Sequence, residues 1–388
     1  MRPKNPRYHL YMKRRLDKLE RQRSRPRTSC NSRPTLFRAT KGGSRISQRY
    51  DVKIPSSFSI KDNPDETIRF FNKTIDTIMR GTESRKMFFD FEFVEYMTID
   101  ALMYLIAIVI NIRISLCRVR EFSGNTPRHP VVRKLFNSSG FIDIVTKRRS
   151  FIEANDAKHI VLSDKGEPQK TQDICEHIIS ESSLQRRNLL FLGEMLGELE
   201  GNVVEHAYNE STYERFHRKW FVYLDDAGEG LFKFTFLDTG VGIWNTMQKR
   251  SGDRLRSLFG NQVDAIADAL NGGERTRTLR PYRGKGLPSI KEHAVSGRVV
   301  NLSLITNKAY CYYDENEIDQ LGKKTITSPL HGTIFYWEIS EKEFDKDNDL
   351  LFHSKGLYKD TWFTVQEPKQ VLRSGIQRRE TGGDVPKG

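Results

Sequence analysis

A glutamate and an asparagine stand one helical turn apart in the segment ELEGNVVEHA, residues 198–207. Apolar residues in and before this segment recur at helical spacing and predict a buried stripe: Leu192, Met195, Leu196, Leu199 and Val203. Glu198 and Asn202 then lie together on the flank of that stripe. An amide oxygen is a hard ligand that suits Mg²⁺, and a nearby carboxylate can accept a proton from an attacking nucleophile. Alone, the pair also fits an ordinary solvated helix edge.

A second candidate segment, LFKFTFLDTGVGIW at residues 231–244, predicts a strand of alternating character that ends at Asp238. A carboxylate at the end of a strand can accept a hydrogen bond from an exocyclic amine. Gly240 and Gly242 allow the backbone to turn tightly beside a flat base. Taken by itself, the segment also fits a plain turn after a strand.

Two further segments contain glycine beside a predicted element. In RPYRGKGLPSIKEHA, residues 280–294, four residues precede a predicted helix: Gly284, Lys285, Gly286 and Leu287. The free N–H groups at such a helix start attract phosphate, although the pattern is not a P-loop because GxxxxGK[ST] is absent. In HGTIFYWEIS, residues 331–340, a glycine and Thr333 open a final strand.

The order and spacing of these four segments resembles the GHKL ATPase domain, which gyrase, histidine kinases and MutL share. The resemblance covers residues 184–340 and implies an α/β sandwich, the Bergerat fold, with helices on one face of a mixed sheet. It implies ATP and Mg²⁺ as cofactors. Glu198 is present in gyrase-like ATPases and in anti-sigma-factor serine kinases, and GELEGNVVEHAY is most similar to the second group.

The resemblance also implies a role for each matched residue. Asn202 would hold the Mg²⁺ that bridges the phosphates, and Glu198 would orient or deprotonate the nucleophile. Asp238 would bind the adenine amine, with Thr333 in support. The other matched residues flank the base or the hinge of an ATP lid near residues 244–283: Gly240 and Gly242 at the base, and Gly284, Lys285, Gly286 and Leu287 on the phosphate side.

Strands and helices alternate in residues 51–150, which indicates a small α/β unit. The pattern resembles the STAS domain of anti-sigma factor antagonists, in which a serine in the loop before the long helix is phosphorylated. Here that loop reads YMTIDAL, residues 96–102, and the serine pair is missing. Thr98 is therefore interpreted as a helix cap, with Asp100 in the first turn, and the serine that the family phosphorylates has no counterpart in this loop.

The positive charge of the chain is concentrated at one end. Of 388 residues with a net charge of +14, residues 1–50 hold 16 Lys and Arg against 2 acidic residues, which accounts for the whole excess. We interpret this segment as a basic arm that is disordered when free. Such an arm suits a phosphate-rich partner such as nucleic acid, but charge alone also fits a solubilising tail.

The sequence therefore predicts an α/β protein of two domains. Its parts are the arm 1–50, a STAS-like domain 51–150, a linker 151–183, the GHKL-like domain 184–340 and a polar tail 341–388. The four cysteines are far apart and no apolar run reaches the length of a membrane span, which favours a cytoplasmic protein.

The sequence leaves two functions open. The first is an enzyme that hydrolyses ATP or transfers its γ-phosphoryl group to Ser or Thr. The second is an ATP-gated switch with little turnover, whose arm binds nucleic acid. A protein partner or a homodimer is expected in either case, and an intramolecular clasp between the two domains is plausible because they share one chain.

Overall fold

In the computed structural model of the chain, the described residues are 36–38, 49–80, 85–115, 119–146, 160–163, 168–207, 219–251, 261–273, 286–313 and 320–341. They mix helices with parallel and antiparallel strands, as expected for an α/β protein. We call residues 36–146 the first unit and residues 160–341 the second unit. Among the described helices, none combines the length and the apolar character that crossing a bilayer requires.

The first unit contains a four-stranded sheet in the order β1-β6-β4-β2. Its strands are β1 Leu36–Arg38, β2 Arg49–Lys53, β4 Arg85–Asp90 and β6 Val119–Asn125. The pairs β2–β4 and β4–β6 are parallel and β1–β6 is antiparallel, so this sheet is mixed. A short parallel pair, β3 Ser57–Phe58 and β5 Tyr96–Met97, lies beside it in the chain.

The helices of this unit are α1 Pro64–Arg80, α2 Ile99–Ser115, α3 Pro130–Ser138 and α4 Phe141–Thr146. Acidic residues in the first turn and apolar residues at helical spacing account for α1. Thr98 stands immediately before α2, and Asp100 in its first turn accepts hydrogen bonds at Oδ2 from the amides of Ile60 (3.0 Å) and Lys61 (2.8 Å).

The second unit contains a five-stranded sheet in the order β10-β11-β9-β8-β7. Its strands are β7 Ile160–Ser163, β8 Trp220–Asp226, β9 Leu231–Asp238, β10 Val300–Tyr312 and β11 Gly322–Ser340. All pairs among these strands are antiparallel, so the expected mixed sheet is wrong for this unit. The reason is that β8–β9 and β10–β11 are successive, directly paired strands, and such neighbours run antiparallel.

Five helices within the described part of the second unit cover one face of this sheet and share one apolar core with it. They are α5 Pro168–Glu181, α6 Leu190–Asn202, α7 Ile243–Ser251, α8 Gln262–Leu270 and α9 Gly286–Val295. A 3-10 turn at Arg186–Leu189 leads into α6, and a π-helical turn at Val203–Ala207 follows it. The thiols of Cys175 and Cys311 are buried on this side.

Two predicted boundaries differ from the structure. The segment 151–183, interpreted as a linker with a strand and a short helix, contributes both elements to the second unit, because β7 pairs with β8 and α5 packs Ile174 and Ile178 into its core. This unit therefore begins well before residue 184. Within the predicted arm, β1 pairs with β6 and β2 begins at Arg49, whereas residues 1–35 and 39–48 lie outside the described part of the chain. Residues 342–388 of the predicted tail also lie outside it.

The first unit covers the other face of the second sheet. Along β8, alternate side chains face opposite cores, with Trp220 and Val222 toward α6 and Phe221 and Tyr223 toward the core that contains α2. Residues 101–112 of α2 are all buried, which explains why this helix is apolar on all sides. The two units thus share one continuous core.

Hydrogen bonds at the rim reinforce this contact. Asp65 in α1 accepts two bonds at Oδ1, from the amide (2.6 Å) and the hydroxyl (2.7 Å) of Thr327 in β11. Asn72 in α1 donates to the carbonyl of Pro329 at 2.9 Å. The two halves of the chain therefore meet in a packed interface.

Candidate functional site

Helix α6 places Glu198 and Asn202 at the margin of the core. The predicted apolar stripe is confirmed, since Leu192, Met195, Leu196 and Leu199 are buried. Glu198 is exposed and Asn202 is half-buried. The helix therefore anchors one face in the core and presents the other two side chains together at its edge.

The start of α9 lies directly against this pair. A Cβ atom placed on Gly286 would be 2.5 Å from Oε2 of Glu198 and 3.6 Å from Nδ2 of Asn202. The backbone of Gly286 thus lies so close to Glu198 that no room is left for a side chain. The structure brings together the first and third sequence segments, which are more than eighty residues apart in the chain.

Two acidic side chains on α6 have perturbed ionisation. Burial raises the pKa of Glu194, although the Ser289 hydroxyl, which donates to Oε1 at 3.2 Å, opposes the rise. For Glu198, partial desolvation is the main cause of a raised pKa, and the charges of Glu194 and Glu205 add to it. A carboxylate with a raised pKa is a better proton acceptor, which suits a general base.

Asp238 ends β9 in a buried position. Its Oδ1 accepts a hydrogen bond of 2.7 Å from the amide of Gly240. Burial raises the pKa of Asp238 to about 7, and the bonds from the Gly240 amide and the Thr333 hydroxyl oppose that rise. Thr333 is the partner of Asp238 in the β9–β11 ladder, so the second and fourth segments also meet.

Gly240 joins this half of the site to the end of α6. A Cβ atom on Gly240 would collide with the carbonyl of Ala207, and the amide of Val241 donates to the same carbonyl at 2.7 Å. The π-helical turn after Asn202 therefore contacts the loop after Asp238. This contact connects the pair Glu198 and Asn202 with the buried carboxylate.

A polar pair in β10 supports the same loop, and sequence reasoning missed it. Thr306 accepts from the amide of Ile243 (3.0 Å) and donates to the carbonyl of Gly332 (3.1 Å). Asn307 accepts from the amide of Trp244 at 3.1 Å and donates to the carbonyl of Val241 at 2.9 Å. The sequence signal was weak, because Thr306 and Asn307 are two of several polar residues in β10.

Glycine is required at two further positions. Gly242 has φ +81° and lies against the side chain of Asn307, which no Cβ atom would allow. Gly332 has φ +105°, and a Cβ atom there would collide with the carbonyl of Asp238. The backbone on both sides of the carboxylate is thus packed too closely for a side chain.

The other residues predicted for the phosphate side and the lid are not placed in the site by the described structure. Leu287 is half-buried and packs on the apolar core, so its contact in the structure is with the protein interior. Gly284 and Lys285 lie outside the described residues. Of the predicted lid, α8 belongs to the core, since Val263 and Ile266 are buried, whereas 252–260 and 274–283 lie outside the described residues.

Within the described part of the chain, no cluster of three or more His, Cys, Asp and Glu side chains could hold a metal ion. Asn202 carries one amide oxygen, and its amide group lies beside Gly286. Mg²⁺ commonly takes one or two protein ligands together with substrate phosphates and waters.

Comparison with known protein families finds no family model that matches the chain, and comparison with curated proteins finds no significant match. The case for the site therefore rests on its residues and their geometry.

Proposed function

We propose that this protein binds ATP with Mg²⁺ in the manner of a GHKL ATPase. The observation that carries the proposal is the convergence of four distant segments on one place. Glu198 and Asn202 lie against Gly286, and Asp238 lies against Gly240 and Thr333. The contact between Ala207 and Gly240 joins the two groups.

Asp238 would recognise the base. One of its oxygens already accepts from the Gly240 amide, and a carboxylate has further lone pairs for an exocyclic amine. Thr306 and Asn307 hold the loop after it in place through the bonds to Ile243 and Val241. A flat base would then lie beside backbone that carries no side chain at Gly240 and Gly242.

The phosphate end would lie at Gly286, the first residue of the ten-residue helix α9. Unpaired amides and the helix dipole favour anions at such a start. Asn202 would contribute an oxygen to the metal. When bound, Mg²⁺ neutralises charge on the phosphates. Glu198, beside both residues, would accept the proton of water or of a Ser or Thr hydroxyl during hydrolysis or phosphoryl transfer.

Calorimetric titration with ATP and with ITP tests this proposal. ITP carries an acceptor oxygen in place of the 6-amino group, so it offers Asp238 no donor at that position and leaves the buried acceptor facing it unpaired. We expect Mg-ATP to bind and Mg-ITP to bind about 100-fold more weakly. The full chain should be used, because its two units share a core. No heat with either nucleotide, or equal affinity for both, would contradict the proposal.

The position of Gly286 leads to a second prediction. In Gly286→Ala, the new methyl group would meet Oε2 of Glu198 at 2.5 Å, and the flexible carboxylate would have to turn away. We expect turnover to fall by about 10–100-fold, because small displacements of a reacting group are costly. Steady-state phosphate release measures this.

Gly197→Ala is the matched control for that variant. Gly197 also lies beside Glu198, on α6, but a Cβ atom there meets nothing within 4 Å. It should retain turnover and stabilise α6 slightly, since alanine has the better helix propensity. If both alanine variants lose turnover equally, the close approach of Gly286 to Glu198 has no functional role.

A switch with little turnover is a second candidate. It is favoured by the direct hydrogen bond from Asn111 in the first unit to Thr239 in the site. A nucleotide would then change the state of the first unit or of a protein partner, and the basic arm would contact nucleic acid through phosphates. The residues that carry most of the charge of the arm lie outside the described part of the chain.

A further inference from the structure

Helix α2 of the first unit reaches the site at two points. Nδ2 of Asn111 donates to Oγ1 of Thr239 at 2.9 Å, and both side chains are buried. The hydroxyl of Tyr104 donates to the carbonyl of His331 at 2.7 Å. The two donors are seven residues apart, so they lie on one face of α2, two turns from each other.

Both acceptors lie next to residues that contact Asp238. Thr239 is the residue between Asp238 and Gly240, whose amide donates to that carboxylate. His331 precedes Gly332, whose backbone is packed against the carbonyl of Asp238. A shift of either acceptor would therefore move a residue in contact with Asp238.

The amide of Asn111 has a cost that an apolar residue would avoid. It is the one polar side chain among Ala101–Ile112 apart from Tyr104, and its exposed fraction is 0%. A buried amide is expensive unless it is hydrogen-bonded, and a bonded one selects a single arrangement of the groups around it. The bond to Thr239 therefore sets the position of α2 relative to the loop at Thr239.

Packing also fixes Tyr104, so its hydrogen bond can set the position of α2 relative to His331. Its ring lies edge-on to Phe71 of α1, with centroids 4.8 Å apart, and is buried. The hydroxyl therefore reaches His331 from a ring that is fixed by packing. Phe71 in turn belongs to the core that α1 and α2 share with the second sheet.

We propose that Asn111 and Tyr104 are positioning residues for base recognition, acting through Thr239 and His331. This inference rests on the proposed function and adds that the first unit sets the nucleotide selectivity of the second. Because linkage is reciprocal, a bound nucleotide also strengthens the contact of α2 with the site.

The test is the discrimination between ATP and ITP in Asn111→Ala and Tyr104→Phe, measured by calorimetry on the full chain. If Asp238 loses its position, ATP loses affinity and ITP, which makes no amine contact, loses little. We expect discrimination to fall about tenfold in Asn111→Ala, within the usual range for coupled sites. In Tyr104→Phe, which loses one hydrogen bond and keeps its packing, we expect it to fall about threefold. A variant that is only less stable would lose affinity for both nucleotides alike.

Asn72→Ala is the matched control. It removes another asparagine that donates from the first unit to a carbonyl of β11, at Pro329, on the exposed rim. It should keep the discrimination of the wild-type chain. Tyr104→Phe keeps the ring and its packing on Phe71. If Asn111→Ala does not fold, the discrimination between ATP and ITP in Tyr104→Phe still tests the inference.

Hydrogen exchange without nucleotide gives a second measurement. The amides of Gly240 and Val241 should exchange faster in Asn111→Ala than in the wild-type chain and in Asn72→Ala. Wild-type discrimination in both α2 variants, or unchanged exchange at these amides, overturns the inference and leaves the proposed function intact. A wild-type chain that binds neither nucleotide overturns the proposed function itself.

Discussion

Replacing Glu198 with glutamine is expected to lower the rate of phosphate release by about 10²–10⁴-fold and to leave the affinity for ATP nearly unchanged. The amide of glutamine has the same shape, but it cannot accept a proton from the nucleophile. Glu198 lies beside Gly286 and Asn202, where the phosphates are proposed to bind, and its raised pKa favours proton uptake. Steady-state phosphate release and calorimetry measure the two effects separately.

Glu205→Gln serves as the control for this change. Glu205 is an exposed acid in the turn after α6, and its charge contributes to the raised pKa of Glu198. Its loss should alter turnover only slightly. Undiminished turnover in Glu198→Gln would rule out the general base. A wild-type chain that binds ATP but releases no phosphate would favour the switch over the enzyme.

Asp238→Asn is expected to weaken ATP binding by about 100-fold or more and to make the protein more stable above pH 7. Asparagine has one acceptor oxygen in place of two, so either the Gly240 amide or the adenine amine loses its acceptor. The resulting unpaired donor is buried, which is why the expected loss of affinity is large. Calorimetry with Mg-ATP at pH 8 measures it.

The sign of the stability change follows from the pKa of Asp238. Burial raises that pKa from 3.8 to about 7, so between these values the folded chain holds a proton that the unfolded chain has released. The free energy of unfolding therefore decreases as pH rises across this interval, by roughly 4 kcal/mol at most. Asparagine does not ionise, so the variant should gain stability over the wild type as pH rises, and the gain should disappear near pH 4.

Thermal unfolding at pH 5 and pH 8 checks this difference. Asp143→Asn, which removes an exposed carboxylate from α4, is the control and should show no such gain. A variant at Asp238 that binds ATP as tightly as the wild type would contradict the proposed recognition of the base. Equal stability of Asp238→Asn and the wild type at pH 8 would show that ionisation of the buried carboxylate does not destabilise the folded chain.

The parts of the structure that sequence predicted are those with a local cause. Alternation in β9 and the apolar stripe of α6 are set by the period of one element, so both could be read directly from the residues. Gly240 was predicted from the expectation that the backbone turns tightly after Asp238. The close approach of Ala207, which enforces that glycine in the structure, could not be predicted.

What sequence could not predict depends on distant pairing. Asn111 and Thr239 are 128 residues apart and Tyr104 and His331 are 227 apart, and nothing near either donor identifies its acceptor. The relative direction of the strands in the second sheet, predicted as mixed and found antiparallel, was wrong for the same reason. Strand order and direction are decided by contacts between elements that are distant in sequence. The role of Thr306 and Asn307 likewise becomes visible only when β10 lies beside the loop that they bind.

The shared core also constrains how this architecture can be rearranged. Eight apolar side chains on the back of the second sheet are covered by the first unit: Phe221, Tyr223, Leu237, Ile305, Tyr310, Ile326, Leu330 and Ile334. A fragment starting at β7 would expose this sheet face to water and to other copies of itself. The halves are therefore not interchangeable modules. Any recombination that swaps one of them must carry the matching surface of the other with it.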